Sequence, residues 1–329
     1  MEGAYYNGQY LNRLERLGYS QAEIDNKLES TFEEMFYGPE GVRLCHCAGP
    51  DMMYIEDTGN HDVRTEGMSY AMMFCVQMNR QKEFDCLWRW VVTHMYLTEG
   101  ENAGYFAWSC HTDGSKNSDG PAPDGEEFFA MSLFFAANRW GSGEGVLDYA
   151  SWARRILHAC VHKGEEAGSG FPMWNPENHL IKFIPNCEFT DPSYHLPHFY
   201  ELFALWSDEC DHPFWHAAAA ASRQYLRKAC HVRTGLSAEY AEYDGRPHRG
   251  DQPDRHDWFF SDAYRTLGNI ALDAQWFGDK DGWAQETAAH IQQFFEEKEH
   301  GQTNGIYLID GTPVEGNALH PVGLSLIHI

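Results

Sequence analysis

The sequence predicts an all-α fold built from helical hairpins. Three observations point that way. Apolar residues recur at helical spacing through paired segments, strand-like runs are few and short, and Gly, Pro, Asp and His gather in the connections between pairs. Of 329 residues, 43% are hydrophobic, ample for a core.

The first strong helix signal is Ser20-Gln21-Ala22-Glu23, a capping box in which the Ser side chain accepts a helix-start N–H and the Glu reaches back. Ile24, Leu28, Thr31, Phe32 and Met35 follow at helical spacing, and Gly38 reads as the stop. A shorter helix is expected over 9–17. The second hairpin is expected over 66–79 and 82–97, with Phe84, Leu87, Trp88, Val91 and Met95 on one face of its second member. The third covers 125–139 and 146–162, with Tyr149, Trp152, Ala153, Ile156 and Cys160 aligned. The fourth covers 192–206 and 213–229. The fifth covers 262–276 and 282–297, with Trp283, Thr287, Ile291, Phe294 and Phe295 inward. Strand signals are confined to 180–184 and 305–308. Two connections, 110–126 and 239–258, have the length of functional loops. No linker interrupts the composition, so residues 1–323 read as one domain.

Repeated hairpins with their loops on one face suggest a closed (α/α)6 barrel. Six hairpins close such a ring; five are counted, and a sixth would begin at His320-Pro321-Val322-Gly323. The final Leu324-Ser325-Leu326-Ile327-His328-Ile329 reads as a non-native, adapter-derived tail. The expectation is therefore a barrel lacking its last hairpin through C-terminal truncation.

Charge narrows the function. A net charge of −25, from 24 basic and 49 acidic residues, argues against nucleic acid and disfavours anionic membranes. A neutral partner such as a sugar is compatible, and 15% aromatic residues suit stacking on sugar rings; excess acid also serves solubility alone. No basic start leads into an apolar run, and no stretch approaches the roughly 18 apolar residues of a membrane span. The nine cysteines are scattered, several of them (Cys75, Cys86, Cys160) in apolar helical runs. They read as reduced core residues of a cytoplasmic protein. Cys45-His46-Cys47, Cys110-His111 and the pair His195 and His198 contain ligand types, but none has zinc spacing. No phosphate-cradling loop or dinucleotide fingerprint is found, so neither metal nor cofactor is expected. Oligomeric state leaves no signal.

Three acids stand where loops run into helices. Glu66 lies in Arg64-Thr65-Glu66-Gly67-Met68-Ser69-Tyr70, Asp124 in Pro123-Asp124-Gly125-Glu126-Glu127, and Asp262 in Phe260-Ser261-Asp262-Ala263-Tyr264-Arg265. Two opposed carboxyl groups are what glycosidic cleavage requires. Taken alone, Glu66 and Asp262 read rather as ordinary surface acids at helix starts, and Asp124 could be an N-cap opening a helix at Gly125.

The extended motifs resemble glycoside hydrolase family 8. Asn60-His61-Asp62-Val63-Arg64-Thr65-Glu66-Gly67-Met68-Ser69-Tyr70 looks like its general-acid motif, and the Asp124 and Asp262 segments look like its other acidic signatures. Asp191-Pro192-Ser193-Tyr194-His195-Leu196-Pro197 and Asn317-Ala318-Leu319-His320-Pro321 continue the likeness, which spans about residues 6–323. The resemblance implies an (α/α)6 barrel and an inverting mechanism. Its implied substrates are short xylooligosaccharides, cleaved to release xylose from the reducing end. An endo-acting member (endo-xylanase, endoglucanase or chitosanase) is the alternative.

Roles follow from the matching positions. Glu66 matches the general acid, which must stay protonated, so Arg64 should point elsewhere. Asp262 matches the general base, and Asp124 a third carboxylate that steadies developing positive charge. Trp108 and Tyr194 match residues of the substrate site. Arg265, one turn from Asp262, either pairs with it or forms a rim salt bridge. His320 matches the residue that reads the free anomeric hydroxyl in the exo-acting branch.

Overall fold

The computed structural model describes residues 2–165, 170–250, 255–300 and 305–314. The chain divides into two compact units, one of Tyr10–Phe171 and the other of Met1–Gln9 with Pro172–Ile329. The expectations for His320, for a sixth hairpin and for the tail at 324–329 lie outside the described residues.

Of the N-terminal helices, α1 (Ala4–Asn7) belongs to the second unit, while α2 (Arg13–Arg16) and α3 (Gln21–Tyr37) open the first. The capping box at Ser20 forms: Glu23 N–H donates to Ser20 Oγ at 3.3 Å, and Ser20 N–H donates to Glu23 Oε2 at 2.8 Å. Helix α2 is a single turn rather than the expected span over 9–17, and Leu14 and Leu17 stay exposed. The inward face of α3 also differs from expectation. Leu28 is 54% exposed, and the buried residues are Phe32 and Phe36, whose rings stack at 4.1 Å.

Two short antiparallel ladders follow. Strand β1 (Cys45–Cys47) pairs with β2 (Met53–Ile55), and β3 (Asp62–Arg64) pairs with β4 (Ser109–His111), setting Arg64 opposite Ser109. Three residues are too few to show alternation, so these strands left no sequence signal. Of the expected strands, 180–184 reduces to a bridge between Trp174 and Ile181, and 305–308 to bridges of Tyr307 with Phe259 and Pro313.

The hairpins of the first unit are α4 (Thr65–Gln77) with α5 (Gln81–Trp90), and α6 (Pro123–Trp140) with α7 (Tyr149–His162). Helix α5 continues through a wider turn, Val91–Met95, closed by Tyr96 N–H on Val91 O at 3.2 Å. The predicted stripe is the core: Phe84, Leu87, Trp88, Val91 and Met95 are all fully buried. Trp88 meets Phe106 and Phe129, each at 5.9 Å between ring centroids. Burying a large apolar side chain contributes about 1.5–3 kcal/mol, so this stripe sets how the helices pack.

In the second unit, α8 (Pro197–Trp206) packs on α9 (His212–Ala229), and α10 (Arg265–Phe277) on α11 (Trp283–Glu299), α8 and α1. Thr287, Ile291, Phe294 and Phe295 are buried as their spacing predicts, with Leu236, Phe259 and Tyr307 against the last three. Tight 3₁₀ turns, Pro192–Tyr194 and Ser261–Tyr264, precede α8 and α10. Among the described residues no helix is long and apolar enough to cross a membrane.

Candidate active site

Each unit carries part of the predicted set: Glu66, Trp108 and Asp124 in the first, Tyr194, Asp262 and Arg265 in the second.

In the first unit, β3 delivers the chain straight into α4, which places Glu66 in the first helical turn. Glu66 is half-buried. Its Oε1 accepts the Trp108 indole N–H at 3.1 Å, and its Oε2 accepts from Thr65 Oγ1 at 3.2 Å. Trp108 is itself held by its backbone, donating to Gly120 O at 2.9 Å and accepting from Thr65 N at 3.0 Å. The 110–126 connection therefore closes onto Trp108. Within it, Gly114 has φ +85°, and a Cβ there would lie 2.1 Å from His94 Nδ1, so any other residue would be strained and would have to displace that ring.

Arg64 makes contacts of its own. Its Nε pairs with Asp62 Oδ1 at 3.0 Å, and its guanidinium carbon lies 4.8 Å from the Trp108 ring centre. Asp62 Oδ2 is in turn held by Ser109 Oγ at 2.9 Å.

Asp124 is buried in the first turn of α6 and accepts from Gly125 N–H at 3.0 Å. The N-cap reading of Asp124 is corrected. Proline is favoured at the first helical position, so the helix begins at Pro123 with Ala122 as its N-cap. Gly125 is what lets α6 reach α4, since a Cβ there would lie 2.5 Å from Thr65 Cβ. The same turn buries Glu126, whose Oε1 accepts Phe106 N–H at 3.0 Å. Burial pushes the Glu126 carboxyl well above the usual range; the Phe106 hydrogen bond opposes this, and the charges of Asp124 and Glu66 add to it.

In the second unit, Asp262 sits in the 3₁₀ turn ahead of α10, directly after Ser261 with φ +48°. A non-glycine residue there stores strain of about 1–3 kcal/mol. Arg265 Nη2 lies 3.0 Å from Asp262 Oδ2, within ion-pair distance. The same guanidinium lies 5.5 Å from the centre of the Tyr194 ring, and Tyr194 is buried. Beneath this group is Asp191, capping the turn Pro192–Tyr194 by accepting Ser193 N–H at 2.6 Å. Burial drives its carboxyl well above the usual range; Arg265 opposes this and Asp262 adds to it.

Histidines 195 and 198 are core residues. His195 lies between Thr190 Oγ1 at 3.0 Å and Ser222 Oγ at 2.9 Å, and burial pulls both imidazoles down to about 3. No disulfide joins any of the nine cysteines, and Cys75, Cys86 and Cys160 are buried as expected.

Asp62, Glu126 and Asp191 received no role from the sequence. Asp191 could have been found, because Asp-Pro before a helical turn is a capping signal. Glu126 could not, because acids in a first helical turn are ordinary.

The first unit thus sets a half-buried carboxyl beside an indole, and the second an arginine-paired carboxylate near a tyrosine. Residues 19–318 match the family model described as glycosyl hydrolases family 8, and the chain belongs to that family. It is 54% identical over 324 residues to a reducing end xylose-releasing exo-oligoxylanase of Halalkalibacterium halodurans, covering 98% of this chain and 82% of that protein. Against the reducing-end xylose-releasing exo-oligoxylanase of Bifidobacterium adolescentis it is 55% identical, covering 93% of this chain and 78% of that protein. Among solved structures, the Paenibacillus barcinonensis enzyme complexed with xylose matches with a TM-score of 0.93 at 54% identity, covering 98% of this chain and 85% of that one.

Proposed function

We propose that this glycoside hydrolase releases xylose from the reducing end of short xylooligosaccharides, with inversion at the cleaved centre. The observation that carries the reading is the 54–55% identity, along most of the chain, to three proteins of that activity. Three endoglucanases that also match are only 26–27% identical, so the endo-acting alternative is the weaker one.

In this reading the helical hairpins belong to an (α/α)6 barrel. Glu66 gives its proton to the leaving oxygen as the bond breaks. Asp262, held by Arg265, takes a proton from the water that attacks the anomeric carbon from the opposite face. Inversion needs these carboxyls about 6.5–9.5 Å apart, with the water between them. Asp124 steadies positive charge on the ring being cleaved. Trp108 offers an apolar face to a sugar ring while its N–H orients Glu66, and Tyr194 lines the site beside Asp262. His320 hydrogen-bonds the free anomeric hydroxyl, which excludes substrates lacking it. Nine cysteines with no disulfide among them suit a cytoplasmic location, where the enzyme would act on imported oligomers.

Product analysis with xylotriose labelled in its reducing-end sugar tests the activity. All label in free xylose, with no cleavage of the borohydride-reduced trisaccharide, is the expected result. Equal cleavage of the reduced sugar would favour an endo-acting enzyme.

A further inference from the structure

Glu126 is fully buried one turn into α6, and the proposed reaction gives it nothing to do. Its Oε1 accepts Phe106 N–H at 3.0 Å; its Oε2 has no hydrogen-bond partner among the described residues. The acceptor is needed at that spot. Leu97 N–H donates to Tyr105 O at 2.9 Å and Ala107 N–H donates to Met95 O at 2.7 Å. The Phe106 N–H between them therefore faces the other way, into the interior. Left without an acceptor there, it would carry the full desolvation penalty of a buried donor. Two residues further on, Trp108 places its indole N–H 3.1 Å from Glu66 Oε1.

We infer that Glu126 is a positioning residue for the proposed acid: by holding the Phe106 amide it fixes residues 105–108, so that the Trp108 indole N–H stays on Glu66. The inference rests on the assignment of Glu66 as the proton donor. The groups facing Glu126 are Asp124 on its own helix, Glu66 on α4, Tyr105 on the fixed segment and Cys160 on α7. Burial raises Tyr105 and Cys160 above their usual ranges, which keeps both uncharged, and burial likewise favours the neutral acid at Glu126. A neutral carboxyl supplies the acceptor without setting a further negative charge beside Glu66.

Two substitutions separate the acceptor from the acid. Glu126→Gln keeps a carbonyl oxygen in the same volume, whereas Glu126→Met fills the space with only a weak sulfur acceptor. The indole N–H resonances of ¹⁵N-labelled protein report the contact, with the Trp108 signal identified by its loss in Trp108→Phe. The expected result is an unmoved Trp108 signal in Glu126→Gln and a displaced one in Glu126→Met. In parallel, kcat on xylotriose should fall roughly ten- to a hundredfold in Glu126→Met, with KM within about twofold. It should stay within about threefold in Glu126→Gln, with the same pH–rate profile. Adding Trp108→Phe to Glu126→Met should cost nothing beyond Trp108→Phe alone.

A Trp108 signal that stays in place in Glu126→Met overturns the inference whatever the activity. So does a Glu126→Gln enzyme as slow as the methionine variant or with a displaced pH profile, since the charge or proton of Glu126 would then matter. If Glu126→Met does not fold, Glu126→Gln decides by the same two readouts. If wild-type enzyme leaves xylotriose intact, the functional reading fails, while the indole spectra still decide whether Glu126 governs the contact between Trp108 and Glu66.

Discussion

The indole N–H of Trp108 donates to Glu66 at 3.1 Å, and the opposite constraint on that indole is the Arg64 guanidinium, 4.8 Å from the ring centre. One ring thus contacts both the proposed acid and the Arg64 guanidinium, which Asp62 holds at 3.0 Å. Replacing Trp108 by Phe keeps the apolar face and removes the donor. A hydrogen bond to a charged or acidic group contributes about 1.5–3 kcal/mol, so kcat should fall about ten- to a hundredfold with KM changed far less. Steady-state kinetics on xylotriose check this; a change confined to KM would make Trp108 a binding residue only.

Glu66→Gln and Asp262→Asn should each lower turnover by about 10²–10⁴-fold while keeping the circular dichroism spectrum and melting profile of the wild type. Neither side chain lies in a packed apolar core, so folding should tolerate both. Activity within a few-fold of wild type in either variant would remove that residue from the mechanism.

Gly125→Ala tests the approach of α6 to α4. The added methyl would lie 2.5 Å from Thr65 Cβ and 2.6 Å from Thr65 Oγ1, so the two helix starts must part. Overpacking of this kind costs about 1–3 kcal/mol. Lower stability in urea, together with a drop in kcat, is expected because Thr65 adjoins Glu66. Unchanged stability would mean that α6 is free to shift.

The raised carboxyl of Asp191 predicts a pH-dependent stability difference. Burial lifts it, Arg265 pulls it back and Asp262 adds to the lift. Its stabilising share is complete below the ordinary aspartate value and is lost as pH rises toward the folded value, because the folded state holds the proton that the unfolded chain releases. Asp191→Asn removes this titration and keeps an acceptor for Ser193. Relative to wild type, the variant should gain about 1.4 kcal/mol per pH unit above pH ~4, until Asp191 ionises in the folded protein. Urea titrations from pH 4 to pH 7 measure it; a constant offset would show that Asp191 titrates alike folded and unfolded.

Much of the helical fold was legible because long amphipathic segments carry their period openly. The stripe Phe84, Leu87, Trp88, Val91 and Met95 is buried as read, as are Thr287, Ile291, Phe294 and Phe295. Failures came where local signals are short or shared. Helix α3 buries Phe32 and Phe36 rather than Leu28, since spacing alone does not choose among adjacent faces. Strands β3 and β4 are too short to alternate, yet β3 is what aims α4 and hence Glu66. The acids were visible as motifs, but their partners were not. The links from Trp108 to Glu66 and from Glu126 to Phe106 join residues 42 and 20 positions apart, and no periodicity encodes them.

The most direct test of the two-carboxylate account is proton NMR of xylotriose during the first minutes of cleavage, following the new anomeric centre of the disaccharide product. An enzyme in which Glu66 protonates and Asp262 activates water should give that centre first in the configuration opposite to the cleaved bond, with the other anomer growing in only by mutarotation. Initial appearance of the original configuration would require a covalent intermediate and would contradict the account.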